Sequence, residues 1–406
     1  MAAVMIGVDP HKGSHTAVAI DDGEAVLGEV RVRSAATQVE RLVVWAAAWP
    51  ERTWAVEGAG GLGYLLAQQL VAAGEAVVDI QPKLGARVRL LATGATIKND
   101  PNDARSVALA ALRSTTLREV AAADHSAVMK LWAKRHHDLG RTRTQVVCRL
   151  HAVVCELVAG GISKEITAGQ AADVLDRIEP EGAVEAARHQ LALEFLEDLR
   201  RVDAQMRDTK KRVAAAVKAS GTTTTDIFGV GPIVAATVIG FVGDASRFAS
   251  RDAFAAYNGT APIEVSSGNR KIHRLSRRGN RRLNHAIHMS AVTQIRHRDS
   301  DGRGYYDRKI TEGKSPKEAL RSLKRRISDA IFARLRADAR RAADVAAAGS
   351  GGQLGNDSDA SVAGSHPKHQ LFGQATPEPE PTLRRPPNGS QPTPTATPLK
   401  KVRKAS

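Results

Sequence analysis

The first eighty residues change their hydrophobic period from two residues to about 3.6, and this switch constrains the fold more than any other feature. Three short apolar runs, 4–8, 15–20 and 25–30, are separated by turn residues such as Asp22-Gly23 and predict a three-stranded meander. Helical and strand periods then alternate. The elements predicted there are a helix at 38–48, a strand at 53–56, a helix at 62–72, a strand at 76–80 and a helix after Pro82.

The predicted order of elements, βββαβαβα, is the order that an RNase H-like mixed sheet requires. A doubly wound nucleotide-binding fold would alternate from its first strand, and no GxGxxG motif follows the first strand here. Farther along, almost no Pro or Gly interrupts residues 126–220, and apolar residues recur at helical spacing. Two long helices are predicted, at 126–159 and 183–218, joined by a short helical link. Such helices pack as a hairpin or a dimeric coiled coil, or serve only as a spacer.

The charge balance indicates a polyanionic partner. The chain carries 59 Lys and Arg against 43 Asp and Glu, a formal net charge of +16, and residues 246–330 alone hold 20 Lys and Arg against 8 acids. No apolar run approaches the roughly 20 residues of a membrane span, and the start lacks a signal peptide, so we expect a cytoplasmic, nucleoid-associated protein without membrane contact. The two cysteines, Cys148 and Cys155, are interpreted as reduced core thiols.

Four acids follow predicted strands or begin a predicted helix where a sheet of this kind would bring them together. They are Asp9 after the first strand, Glu57 after the fourth, and Asp100 and Asp103 around Pro101. Carboxylates that converge in this way need a compensating charge, and oxygen ligands favour Mg²⁺ or Mn²⁺. Taken singly, each acid is equally compatible with a strand end, a loop or a helix cap.

The basic segment contains Ser266-Ser267-Gly268, which we interpret as a flexible loop. A serine among cations has the ingredients of a nucleophile that attacks phosphate, although the same residues are compatible with a plain turn. Before it, Gly229-Val230-Gly231 has the form of a turn that offers backbone N–H groups to a phosphate. The nucleic-acid contacts predicted here are Arg270, Lys271, Arg274, Arg277, Arg278, Arg281 and Arg282.

Four ordered blocks of sequence resemble the DEDD-type transposases of bacterial insertion sequences, a family described as bridge-RNA-guided serine recombinases. The blocks are IGVDPHKGSHTAVAID, AVEGAGGLGYLLAQQL, KNDPNDARSVA, and the stretch from GVGPIVAATVIGFVGD through SSGNRKIHRLSRRGNRRLNHAI. The resemblance implies three regions. They are a RuvC-like catalytic domain at 1–122, a helical coiled-coil domain at 123–220 and a mostly helical C-terminal transposase domain at 221–345. The Pro-rich residues 346–406 lie outside the resemblance, and their composition predicts a disordered tail.

The resemblance also implies an activity and its partners. Asp9, Glu57, Asp100 and Asp103 would bind the divalent ion, and Ser267, or its neighbour Ser266, would be the nucleophile. A homo-oligomer, dimer or tetramer, would act on donor and target DNA with an RNA guide encoded by the element. Two alternatives remain: a junction-resolving nuclease of RuvC type that uses water in place of the serine, and a protein that only binds nucleic acid.

Overall fold

The computed structural model describes residues 4–93, 99–115, 117–161, 166–267, 270–275 and 279–349, except for the side chains of 91–93, 264–267, 270–275 and 346–349. The strands are β1 (Val4–Pro10), β2 (Ser14–Ile20), β3 (Val26–Arg33), β4 (Arg52–Glu57), β5 (Val77–Ile80), β6 (Arg118–Glu119), β7 (Pro262–Ser267) and β8 (Arg270–Leu275). The helices are α1 (Gln38–Ala46), α2 (Tyr64–Ala72), α3 (Pro82–Thr93), α4 (Asp100–Leu112), α5 (His125–Cys155), α6 (Ala168–Leu175), α7 (Gly182–Ala219), α8 (Pro232–Val242), α9 (Arg251–Asn258), α10 (Arg281–Arg296), α11 (Asp301–Thr311) and α12 (Pro316–Gly349).

The six strands β1 to β6 form one mixed sheet in the order β3-β2-β1-β4-β5-β6. The first three strands pair antiparallel, and β4 and β5 then extend the sheet in parallel from β1. This order confirms the predicted RNase H-like sheet with flanking helices. The two-residue strand β6, which pairs antiparallel with β5, is too short to have a periodic signal and was not predicted.

Helices cover both faces of the sheet. One face packs through Trp54, Leu42 and Leu66 against α1 and α2, while the other packs against α3 and α4. Helix α4 lies directly on β1, because a Cβ atom added at Gly7 would overlap the backbone of Ala104 in that helix. The glycine therefore allows the close approach that brings the start of α4 to the end of β1.

The two long helices predicted in the middle of the chain are confirmed as α5 and α7, which pack along each other with α6 as the short link. Their core near the link contains Leu150, Leu175 and Leu196. At the other end, Met129 of α5 and Val213 of α7 join the core of the C-terminal helices. The hairpin interpretation is thus the arrangement found within the chain, and the ends of the hairpin belong to two different cores.

The C-terminal region is mostly helical, as predicted, and the structure differs from the sequence interpretation at two serines in this region and at two cysteines in α5. Ser266 and Ser267 do not lie in a flexible loop; they end β7, which pairs with β8. Cys148 and Cys155 are exposed, so their interpretation as core thiols is wrong. Beyond α12, the predicted tail lies outside the described residues.

Candidate active site at the end of strand β1

Asp9 is the centre of the candidate site. It lies near the end of β1, pairs across the sheet with Thr16 of β2 and is only 6% exposed. The chain turns after Pro10, and His11 Nδ1 then lies 3.6 Å from Asp9 Oδ2. Strand β1 and the residues that follow it therefore place the buried carboxylate of Asp9 beside the exposed imidazole of His11.

Glu57 reaches the same place from the neighbouring strand. Strand β4 runs parallel to β1 with Val56 opposite Val8, so Glu57, the last residue of β4, lies beside Asp9. A hydrogen bond joins the two carboxyl groups, and it raises the pKa of Glu57 while it lowers that of Asp9.

Asp100 and Asp103 come from the first turn of α4. Asn99 caps this helix, and its Oδ1 accepts a hydrogen bond of 2.9 Å from the backbone N–H of Asn102. Asp100 is the first residue of α4, in agreement with the helix start predicted around Pro101. Both acids lie on the side of α4 that approaches β1.

Two arginines are paired with the acids of α4. Arg31 Nη2 of the edge strand β3 lies 3.5 Å from Asp100 Oδ2, and Arg89 of α3 donates a hydrogen bond to Asp103. Asp103 and Arg89 are largely enclosed, with side-chain exposures of 14% and 27%. Each of the two acids that α4 contributes therefore has a cation from a different element.

Negative charge is concentrated around Asp9. Burial raises the pKa of Asp9, His11 lowers it, and the carboxylates of Asp103 and Asp100 raise it further. Burial also raises the pKa of Glu57, with Asp9 and Asp103 adding to the effect. Folding thus holds these carboxyl groups where their ionised forms are unfavourable, which is the electrostatic condition that a bound cation relieves.

The donor atoms fit a divalent cation. Ligand atoms of Asp9, His11 and Asp100 lie within 4.8 Å of one another. Glu57 and Asp103 add carboxylate oxygens that act directly on the charge of Asp9. Carboxylate oxygens are the donors that hard divalent ions prefer. All four predicted acids therefore converge, and the site is suited to a divalent metal.

Sequence reasoning did not single out His11, Arg31 or Arg89. His11 had a local signal, because it follows Asp9 and Pro10 at the end of a strand. The two arginines had none, since β3 and α3 bring them to the acids from 69 and 14 residues away along the chain. Only the sheet order shows that these elements surround α4.

Ser267 ends β7, opposite Arg270 at the start of β8. The side chains of Ser266, Ser267, Arg270, Lys271 and Arg274, and the whole of Arg277 and Arg278, lie outside the described part of the chain.

Arg281 and Arg282 are the first two residues of α10. Asn280 caps this helix, with its Oδ1 accepting hydrogen bonds from the N–H groups of Arg282 and Leu283. Among the described helices, none is long and apolar enough to cross a membrane.

Two family models match the chain. Residues 6–158 match a model described as a transposase, named for the DEDD acids and for IS110, and residues 222–307 match one described as the transposase IS116/IS110/IS902 family. The first match contains all four acids of the candidate site. The second contains β7, β8 and all seven predicted basic contacts.

Similar proteins come from insertion elements of actinobacteria. The 44.8 kDa protein of insertion element IS116 from Streptomyces clavuligerus is 26% identical over 82% of this chain and 94% of its own length. The 42 kDa protein of IS900 from Mycobacterium paratuberculosis is 27% identical over 82% and 96%. The 43.6 kDa protein of IS110 from Streptomyces coelicolor is 39% identical over 28% of each chain.

Among solved structures, T. thermophilus RuvC in complex with Holliday junction substrate aligns with 29% of this chain and 99% of that chain. The identity is 20% and the TM-score is 0.25. A TM-score of this size does not assign a fold. The fold is assigned here from the strand order of the sheet.

Proposed function

Because the chain belongs to the IS110/IS116/IS902 family of DEDD transposases, we propose that its acidic cluster cuts and rejoins DNA with the help of a bound divalent ion. The observation that carries this proposal is the convergence of Asp9, Glu57, Asp100 and Asp103 around one buried carboxylate. A structural role alone does not account for this cluster, because the pKa of Asp9 is raised by burial and by the carboxylates beside it.

Asp9, Glu57, Asp100 and Asp103 are the residues that would hold Mg²⁺ or Mn²⁺. When bound, such an ion supplies electrostatic stabilisation for the charge that develops on phosphodiester oxygens. Glu57 would act as a ligand in its ionised form. Arg31 and Arg89 hold Asp100 and Asp103 in position through their ion pairs. The two carboxylates would therefore be in place before DNA binds.

The nucleophile in this proposal is Ser267, or Ser266 if the register of the hairpin favours it. The serine hydroxyl loses its proton, and its oxygen forms a bond to the scissile phosphorus while the bond from phosphorus to the 3′ oxygen breaks. The leaving 3′ oxygen takes up a proton, so the step consumes no net proton. A different 3′ hydroxyl then reverses this attack and releases the serine. The bond energy is conserved in the protein–DNA linkage, so no nucleotide cofactor is required.

The finer parts of the proposal concern assembly. We place catalysis in 1–122, a dimerising helical region in 123–220 and the serine in 221–345, with 346–406 as an appended tail. The acids and the serine would come from different protomers of a dimer or tetramer. A guide RNA encoded by the element would select donor and target DNA, which agrees with a basic surface that needs to read no bases.

A covalent-adduct assay tests this proposal. Purified protein is incubated with Mg²⁺, RNA transcribed from the flanks of the element, and supercoiled donor and target plasmids, and denaturant-resistant protein–DNA adducts are measured. Wild type is compared with Ser267→Ala, Ser266→Ala and Asp103→Asn. The proposal predicts RNA-dependent adducts that disappear in Asp103→Asn and in one of the two serine variants.

The outcomes separate the alternatives. Cleavage without an adduct that survives both serine substitutions would make the protein a metal-dependent nuclease that uses water. Equal DNA binding with no cleavage by any variant, including wild type, would leave a binding protein. Adducts that form equally well without RNA would remove the guide from the proposal and keep the serine chemistry.

A further inference from the structure

A second charged site lies away from the acidic cluster, in a groove between the long helices and the C-terminal helices. Helices α5, α7, α8 and α10 line an open cavity of about 1130 Å³. Residues of all four helices reach it, among them His137 of α5, Arg207 of α7, Thr237 of α8 and His285 of α10. We call this cavity the hairpin groove.

The hairpin groove is strongly cationic. Its lining includes six basic side chains, namely Lys134, Arg141, Arg207, Lys210, Arg281 and Arg282. The one acid in the lining is Asp203, which is already engaged by Arg143 at 2.6 Å. Among the described residues, no carboxylate forms an ion pair with Lys134, Arg207 or Lys210. Most of this positive charge therefore has no counter-charge within the described part of the chain.

Two buried polar atoms in the groove also have no partner. The N–H groups on Nη1 of Arg282 have no acceptor, and Nδ1 of His136 has no hydrogen-bond partner, among the described residues. Burial lowers the pKa of His136, with Lys210 adding to the effect, and burial together with Arg282 lowers that of His137. Unpartnered donors in a cationic environment are the complement of an anionic ligand that is rich in acceptors.

The groove includes two of the predicted DNA contacts. Arg281 and Arg282 line it, and they begin α10 a few residues after β8 along the chain. The groove floor adds apolar side chains, including Ile233 and Phe241 of α8.

We propose that the hairpin groove binds the phosphate backbone of duplex DNA that flanks the cleavage position. The identity of the polyanion as DNA rests on the proposed function, whereas the charge and the unpartnered donors belong to the groove itself. Each basic side chain that contacts a phosphate displaces a condensed counterion, which makes the affinity depend on salt. The long helices thereby hold DNA in addition to their contacts with each other.

The test measures binding of a labelled duplex carrying the element end, by fluorescence anisotropy, over a series of salt concentrations. The test variant is the triple substitution Lys134→Gln, Arg207→Gln and Lys210→Gln, which changes only exposed side chains. The matched control removes three charges from exposed residues that do not line the groove: Arg149→Gln on α5, with Lys211→Gln and Lys218→Gln on α7. An RNA hairpin of the same charge is measured in parallel.

The proposal predicts that the test variant binds duplex DNA at least about tenfold more weakly than wild type near 150 mM salt. The slope of the logarithm of the association constant against the logarithm of salt concentration should also fall in magnitude by about 3, because each lost phosphate contact lowers it by about one unit. The control variant keeps the wild-type slope. Equal losses in both triple variants would overturn the proposal, because net charge alone would then explain them. A loss confined to the RNA hairpin would overturn the assignment to DNA.

Failure of this inference is distinguishable from failure of the proposed function. Asp103→Asn abolishes cleavage in that function but lies outside the groove, so it should bind duplex DNA as wild type does. If wild type cuts no DNA while the groove variant still loses affinity, the proposed function fails and the groove remains a DNA site. If cleavage occurs and the groove variant binds normally, the inference about the groove is the one that fails.

Discussion

Replacing Asp9 with asparagine should stabilise the metal-free protein. The side chain of Asp9 is buried and lies within 4.8 Å of a ligand atom of Asp100. Two unit charges at that separation repel by about 1 kcal/mol at the dielectric constant of water and by about 3 kcal/mol at an effective value of about 20. Asparagine has the same shape, and its amide group can take part in the hydrogen bond that joins this side chain to Glu57. We therefore expect Asp9→Asn to raise the free energy of unfolding by about 1 to 3 kcal/mol.

The pH dependence has a definite sign. The pKa values of Asp9 and Glu57 are raised in the folded state, so the folded protein binds more protons than the unfolded chain. Without metal, the stability that protonation of these two groups contributes is therefore fully present below the ordinary carboxyl pKa, and it is lost as the pH rises through their raised pKa values in the folded protein. Asp9→Asn removes part of this loss, so its advantage over wild type should grow as the pH rises above about 4.

The assay is thermal unfolding at pH 8 in EDTA and again in excess Mg²⁺. In EDTA, Asp9→Asn should melt several degrees above wild type, at about 2 to 4 °C per kcal/mol. In Mg²⁺, wild type should gain stability through binding and the variant should gain less. Asp22→Asn, an exposed acid outside the cluster, serves as the control. A variant that melts below wild type in EDTA, with Asp22→Asn unchanged, would refute the reasoning.

Two further substitutions test the scaffold of the site by denaturant unfolding. Gly7→Ala should destabilise the protein by about 1 to 3 kcal/mol and should weaken Mg²⁺ binding, because the added methyl group displaces α4 at Ala104. Unchanged stability would show that α4 does not lie this close to β1. Glu75→Ala should cost about 1.5 to 3 kcal/mol, since Glu75 accepts hydrogen bonds from the partly buried side chain of Arg52 and from the buried Trp54. A loss below about 1 kcal/mol would mean that water replaces the carboxylate there.

Much of the sheet and of its acids could be predicted from the sequence. The meander and the alternating elements have clear periods, and strands that run parallel place their ends at one edge. That argument alone brings Asp9 and Glu57 together. The position of α4 across β1 was accessible only in part, because it depends on the close approach at Gly7, which has no periodic signal.

Other features depend on contacts between distant parts of the chain. Arg31 and Arg89 lie among ordinary surface residues in the sequence, and only the packed sheet brings them to the acids. The hairpin β7–β8 was interpreted as a loop because Ser266, Ser267 and Gly268 are typical turn residues, whereas its strands are formed by cross-strand pairing. The hairpin groove, which combines four helices, has no counterpart in any local pattern.

The most direct test of the central claim is cleavage of a supercoiled plasmid that carries the element end, in the presence of the RNA from its flanks, while Mg²⁺ is titrated. Wild type is compared with Asp9→Asn and Asp22→Asn, and binding of the same DNA is measured for all three proteins. The account predicts Mg²⁺-dependent cleavage by wild type and Asp22→Asn, and a loss of at least about 100-fold in Asp9→Asn with unchanged DNA affinity. Cleavage by Asp9→Asn at the wild-type rate would contradict it.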